Sequence, residues 1–553
     1  MHAQRNTAFM FFLILSIVAV YTYTSDKAEE NKTSNQQIEV SSGTKISADN
    51  SDYSPEKLIN IETDLHSLDI SLKGGDIIRG DLKDQKQEIN TDENFHLLRI
   101  TPDYKYYVTS DIIVNQNNLR PEYTASGRIF KLNPNPDIDC ANINDESKLA
   151  KLEVPLSYTD SNGTVYTKTF TFTQCKHIIS VTHVINNISN DISVSLESKL
   201  IQSINAPAND SSTIMASAYR GSAYSTAKNK YEKISFEDIA DETSRKDVAN
   251  TKGGWVSMIQ HYFATAWIGT DSDNTIFTQS DDNKSTAIIG IKTTPISVTA
   301  GPDSSIKIPN TLWIGPKIQS EMTQAAQYLN LTVDYGWLSV ISEFLFKILN
   351  FIHSIVNNWG VSIIILTLLV RGLMYPLTKK QYVSMAKMRQ LTPKLQAIKE
   401  KYANDRQKLS EETMRLYASE HVNPLGGCLP ILIQMPIFIA LYWTLMESTE
   451  LRHSPFIFWI HDLSVMDPYY VLPLLYGITM FIIQRASMST MTDPTQKKVM
   501  TVMTVVFTFM FCTFPAGLTL YWLVSNIVTL VQQTIIYKHL EKHGLREKTP
   551  KKK

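Results

Sequence analysis

Arg371 stands inside an apolar run, 359–377, of about the length needed to cross a bilayer. A guanidinium does not give up its proton, and hydrocarbon around it costs roughly 3 kcal/mol or more. The usual remedy is a buried carboxylate, yet the apolar segments 425–446, 469–485, 499–512 and 515–537 carry no Asp or Glu. Water is then the expected solvent for this charge, in a pocket of a helical bundle. The competing reading is that Arg371 snorkels to the interface ahead of Lys379 and Lys380. Six residues, mostly apolar, still separate it from that flank. Thr367 lies one helical turn earlier on the same face. Gln434, Tyr521, Trp522, Asn526 and Gln532 could line the same cavity from other segments, although Tyr521 and Trp522 also suit core or interfacial positions. The chemistry of this set is hydrogen bonding and charge attraction, not bond making.

Elsewhere the residues for catalysis are missing. Residues 56–333 contain no acid/base pair, nucleophile motif or phosphate loop. His177, His183 and His261 are scattered and read as packed or surface histidines. No Cys-x-x-Cys occurs, so metal and redox sites are unsupported, and neither a cofactor nor an enzyme activity is expected. Cys140 and Cys175 could pair in an oxidising compartment; two free thiols fit the sequence as well.

The elements that must hold Arg371 emerge when the chain is divided. Over 553 residues the net charge is −1 and the mean hydropathy slightly negative, which suggests a soluble protein. Residues 1–333, however, carry 30 Lys+Arg against 40 Asp+Glu, and residues 334–553 carry 23 against 14. An acidic polar part joined to a basic apolar part implies two environments.

A first apolar segment within 1–24 reads as a retained transmembrane anchor, and 25–55, rich in Ser, Asn, Glu and Lys, as a flexible linker. Residues 56–333 alternate as strands do, with a hairpin signature around Asp160-Ser-Asn-Gly163, and suggest a β-sandwich. In 334–356 apolar residues recur at helical spacing between Glu343, Lys347, Asn350 and His353, as in a helix lying on a membrane surface. Residues 357–537 hold five spans. Between the first two, 379–421 reads as a charged helical hairpin bearing Lys387, Arg389, Lys394, Lys399 and Lys401. Such a charge run is either a solvated face or a recruitment surface for ribosomes, targeting factors or anionic lipid. The hairpin and the basic tail 538–553 are rich in Lys and Arg, whereas the loop after 446 has only Arg452. The positive-inside rule then puts both termini in the cytoplasm and the β domain outside.

Several ordered blocks resemble one family. Asn358-Trp-Gly-Val-Ser-Ile-Ile, Val370-Arg-Gly-Leu-Met-Tyr-Pro-Leu-Thr378, Asn423-Pro-Leu-Gly-Gly-Cys-Leu-Pro, Gln434-Met-Pro-Ile-Phe, Asp467-Pro-Tyr-Tyr-Val-Leu-Pro and Phe514-Pro-Ala-Gly-Leu are similar to the YidC family of membrane protein insertases. Lys252-Gly-Gly-Trp255 and Gln260-His-Tyr-Phe-Ala-Thr-Ala-Trp267 resemble the outer domain of its Gram-negative members. The resemblance implies a five-helix core with a hydrophilic groove open to cytoplasm and lipid, and a periplasmic β-supersandwich related to sugar-binding enzymes. It assigns Arg371 as the groove arginine and Thr367 as its polar neighbour. Trp522 falls where an aromatic, often tyrosine, lines the groove. Implied partners are nascent membrane proteins, the bilayer, the Sec translocon, ribosomes and targeting factors, with no sequence-specific nucleic-acid binding. A secondary transporter with an anion-binding arginine and a membrane-anchored envelope glycan-binding protein are the alternatives.

Overall fold

The computed structural model describes residues 55–542, except 141–142, 144, 207–218, 242–243, 302, 404, 421–428 and 489–493. The expected anchor at 1–24, nearly all of the linker at 25–55, Cys428 and the tail beyond 542 lie outside the described residues. The chain divides into two compact units at Val333/Asp334, where the charge balance changes sign.

The first unit is a sandwich of a 12-stranded and a 9-stranded sheet. Strand pairing is antiparallel apart from Leu58–Glu62 beside Ile129–Lys131. The hairpin forms where the turn residues require it. Thr159 pairs with Val165, the Asp160 carboxylate accepts from the backbone of Asn162 and Thr164, and Gly163 takes φ +85°. Along Val165–Thr173 every second residue is buried, as a strand with one face on a core demands. Leu68, Ile70, Val108 and Leu200 from one sheet meet Val154, Phe170, Val181 and Leu312 from the other in one apolar cluster. Helices in this unit are short: α1 (Phe236–Ala240) and α2 (Gln319–Ala325).

Charges inside the sandwich are matched. Lys168 is 1 % exposed, and its ammonium donates to the carbonyls of Gly74, Gly75 and Ser110 at 3.1, 2.8 and 2.9 Å. A Cβ at Gly75, which has φ +70°, would come within 2.9 Å of the Lys168 stem. Arg120 bridges the buried carboxylates of Asp76 and Asp111. His177 donates towards Glu321 on α2 at 2.9 Å and lies 3.4 Å from Asp84. Burial alone would lower the His177 pKa, but those two carboxylates overcome it and raise the ring to about 9. His66, 5.6 Å away ring to ring, is driven down to about 4 by burial and by the His177 charge. His183 is buried against Ser110, and His261 stacks on Tyr262. Cys140 and Cys175 are joined as a disulfide, which the sequence left open.

The second unit is helical: α3 (Ser339–Val356), α4 (Trp359–Leu373), α5 (Tyr375–Gln390), α6 (Thr392–Lys401), α7 (Arg406–Ser419), α8 (Leu429–Glu447), α9 (Val471–Met488), α10 (Pro494–Met510) and α11 (Ala516–Lys542). The chain turns sharply out of α3. Asn357 takes the left-handed conformation, φ +51°, and Asn358 caps α4 by accepting from Val361 N, the roles that asparagine favours at helix ends. One face of α3 (Leu345, Leu349, Ile352) is buried, and Val340, Phe344, Phe351 and Ile355 form an exposed apolar stripe. By length and composition Gly336–Val356 and α11 could each cross a membrane, and α4 with α5 could do so as one span bent by 58°. The bend falls between Leu373 and Tyr375, inside the apolar run 359–377. The three helices α5, α6 and α7 supply the charged hairpin, its first arm broken at Leu391 ahead of Pro393. Around the bundle, α11 packs on α4 and α9, α10 packs on α9, and α3 packs on α4 and α8.

Candidate functional site

Arg371 leaves α4 in its last turn and reaches across to α11 and α8. Its Nε donates to Ser525 Oγ at 2.8 Å, its Nη2 donates to the same oxygen, and its Nη1 donates to Gln434 Oε1 at 3.1 Å. Gln532 Nε2 donates to the Arg371 carbonyl at 3.1 Å. Among the described residues no carboxylate pairs with this guanidinium. Every acceptor around it is neutral, so the charge is held but not cancelled.

The stripe of α11 that faces Arg371 is set by helical spacing. Tyr521, Ser525 and Gln532 fall on one side, and all three are buried. Trp522 and Asn526 fall on the neighbouring side. Trp522 packs edge-on to Phe438 of α8, 4.2 Å between centroids, and near Tyr476 and Phe511. Asn526 donates to Thr479 Oγ1 of α9 at 3.3 Å. The aromatic and the arginine thus occupy adjacent sectors around α11. Tyr521 stacks on Phe438 at 6.5 Å. Thr367 is fully buried, and its hydroxyl donates to Ile363 O of its own helix at 2.6 Å; it borders the site without bonding Arg371. Ser525 was not singled out in the sequence. The available signal was a small hydroxyl one turn after Tyr521, on the same helix as Asn526 and Gln532.

Three amide atoms of the helical unit are buried without a protein partner among the described residues: Gln532 Oε1 beside Arg371, and Gln533 Nε2 and Gln484 Nε2 elsewhere in the bundle. An unpaired buried amide costs about 1–3 kcal/mol, and water is the partner such atoms take.

One end of the bundle is stitched by backbone hydrogen bonds. Gly517 N donates to Leu463 O and Ala516 N to Val465 O, at 2.8 and 2.7 Å. Asp467 accepts from Trp459 Nε1, Tyr469 N and Leu472 N, which fixes the loop after α8 to the start of α9. Arg371 lies toward the other end, where α5 packs on α11 through Tyr382, Ala386, Ile536 and Leu540. On the hairpin, Lys387, Lys394, Lys399 and Lys401 are exposed. Lys394 pairs with Glu420, and Lys401 lies 5.2 Å from the Tyr402 ring. The Arg389 side chain lies outside the description.

Two family profiles cover most of the chain. The YidC periplasmic domain matches residues 58–348, and the 60Kd inner membrane protein family matches residues 351–543. Relatives named membrane protein insertase YidC include one from Tolumonas auensis, 45 % identical over 99 % of this chain and 100 % of its own length. Another, from Aeromonas salmonicida, is 44 % identical over the same shares. A solved active YidC insertase with its first transmembrane domain resolved aligns at 19 % identity and TM-score 0.37, over 87 % of this chain and 92 % of that one. On these full-length relatives and both profiles, the chain belongs to the YidC family of membrane protein insertases.

Proposed function

We propose that this chain inserts nascent membrane proteins into the bacterial inner membrane through a wet groove beside Arg371. The observation that supports this most is the absence of a counter-ion among the described residues around a cation held by Ser525 and Gln434. A polar segment crossing dry hydrocarbon leaves backbone groups unpaired at several kcal/mol each. A hydrated groove that reaches partway shortens the dry path. Arg371 attracts acidic residues of the incoming segment, and the apolar helices that follow partition into lipid and drive completion. Thr367, Gln434, Tyr521 and Trp522 shape the groove.

In this reading the β domain lies in the periplasm, and the basic hairpin and tail face the cytoplasm, as the Lys/Arg distribution favours. The exposed lysines of the hairpin serve to recruit ribosomes or targeting factors, and the Sec translocon is a further partner. The helix α3 lies at the outer interface, its apolar stripe in lipid, Glu343 and Asn350 at the edge towards water, and Lys347 within the stripe reaching out along its stem. The domains are then the anchor 1–24, linker 25–55, sandwich 56–333, interfacial helix 334–356, core 357–537 and tail 538–553.

The test is reconstitution of the full chain in liposomes with a small two-span substrate. Insertion should depend on the protein and survive deletion of most of residues 56–333. Loss of all activity on that deletion would favour the glycan-binding alternative.

A further inference from the structure

Arginine presents its Nε and one Nη as a fork that fits the two oxygens of a carboxylate. In this chain both arms of that fork land on one neutral oxygen, Ser525 Oγ. Ser525 is 2 % exposed and sits on the stripe of α11 that faces α4. A hydroxyl oxygen has two lone pairs, enough to accept both arms, and it carries no charge to oppose a substrate carboxylate. Gln434 holds a third N–H from the other side, and Gln532 fixes the Arg371 backbone.

We infer that Ser525 is the positioning residue for Arg371: a neutral placeholder that keeps the fork formed, aimed and fully charged until an acidic residue of the substrate takes its place. This rests on the insertase reading above and deepens it, since it makes the selectivity for acidic translocated segments a property of the α4–α11 contact. A carboxylate at this position would satisfy the same geometry permanently and remove the free charge. A threonine would keep the hydroxyl, and an alanine would leave the fork unaimed.

The experiment compares two substrates that differ only in the translocated segment, one with acidic residues and one with the matching amides, in liposomes carrying the full chain. The readout is the ratio of their insertion rates. Ser525→Asp should reduce the ratio of acidic to amide insertion by about tenfold, as an internal counter-ion at contact distance dictates. Ser525→Ala should lower the ratio less, and Ser525→Thr should restore it. A merely structural role would lower both substrates together and leave the ratio unchanged, which would overturn the inference. Should the aspartate variant fail to accumulate, Ser525→Ala against Ser525→Thr carries the same test: an unchanged ratio in the alanine variant overturns it. Arg371→Ala separates the two levels. If it abolishes the preference and Ser525→Asp does not, only the role of Ser525 fails. If Arg371→Ala also leaves the preference intact, the electrostatic reading of the groove fails with it.

Discussion

The two units treat buried charge in opposite ways. In the sandwich, Lys168 donates to three carbonyls within the field of the Asp76 and Asp111 carboxylates, Arg120 has those two carboxylates, and His177 lies between two more. Each charge is compensated where it stands, and each joins strands distant in sequence. In the helical unit Arg371 has, among the described residues, only neutral acceptors. A compensated charge organises a fold, whereas an uncompensated one is available to something that is not part of the fold. The difference is the physical reason to look for substrate at α4 and not in the sandwich.

Substitutions on the two sides should therefore fail differently. The largest effect is expected at Lys168. Lys168→Ala removes the donor of three buried carbonyls, each worth about 1–3 kcal/mol when left unpaired, and should destabilise the sandwich, read as a lower unfolding temperature of the purified full chain. Insertion at a permissive temperature should be unaffected. Removing the staple comes next. Cys140 and Cys175 enclose a 35-residue separation, and Cys140→Ser with Cys175→Ser should cost about 3–4 kcal/mol by the chain-entropy relation, again seen in thermal unfolding alone. Activity loss in either variant at full folding would erase the contrast between the units.

The pH dependence sharpens the same contrast. His177 has its folded pKa raised to about 9 from an ordinary 6.5. Its contribution to stability is then complete below about pH 6.5 and is lost as pH rises towards 9. His177→Gln should flatten that alkaline limb in a thermal-unfolding series. His66 acts in the other direction. With its pKa lowered to about 4, its burial favours the fold above pH 6.5 and costs stability as pH falls towards 4. A wild-type profile flat from pH 6.5 to 9 would contradict the His177 assignment.

Much of this was legible in the sequence because local rules governed it. The hairpin at 160–163 follows from turn chemistry, the boundary at 333 from charge balance, and the helices from apolar runs. The position of Arg371 in an apolar run without acids singled out the candidate site. What stayed hidden was long-range. His177, Asp84 and Glu321 come from three remote segments, so no spacing rule joins them. The disulfide needed the fold to bring Cys140 and Cys175 within 5.4 Å between Cα atoms. Ser525 was passed over because serine is unremarkable in a helix until a guanidinium is seen to end on it. Likewise, the separation of Trp522 from Tyr521 is a matter of helix rotation against neighbours that the sequence does not place.

The most direct measurement is the insertion of a charged and a neutralised version of one substrate by wild type, Arg371→Lys and Arg371→Ala. An uncompensated cation predicts that wild type and the lysine variant favour the acidic version, and that the alanine variant treats both alike, a loss of roughly tenfold for the acidic one. Equal insertion of the two versions by wild type, or an undiminished preference in Arg371→Ala, would contradict it.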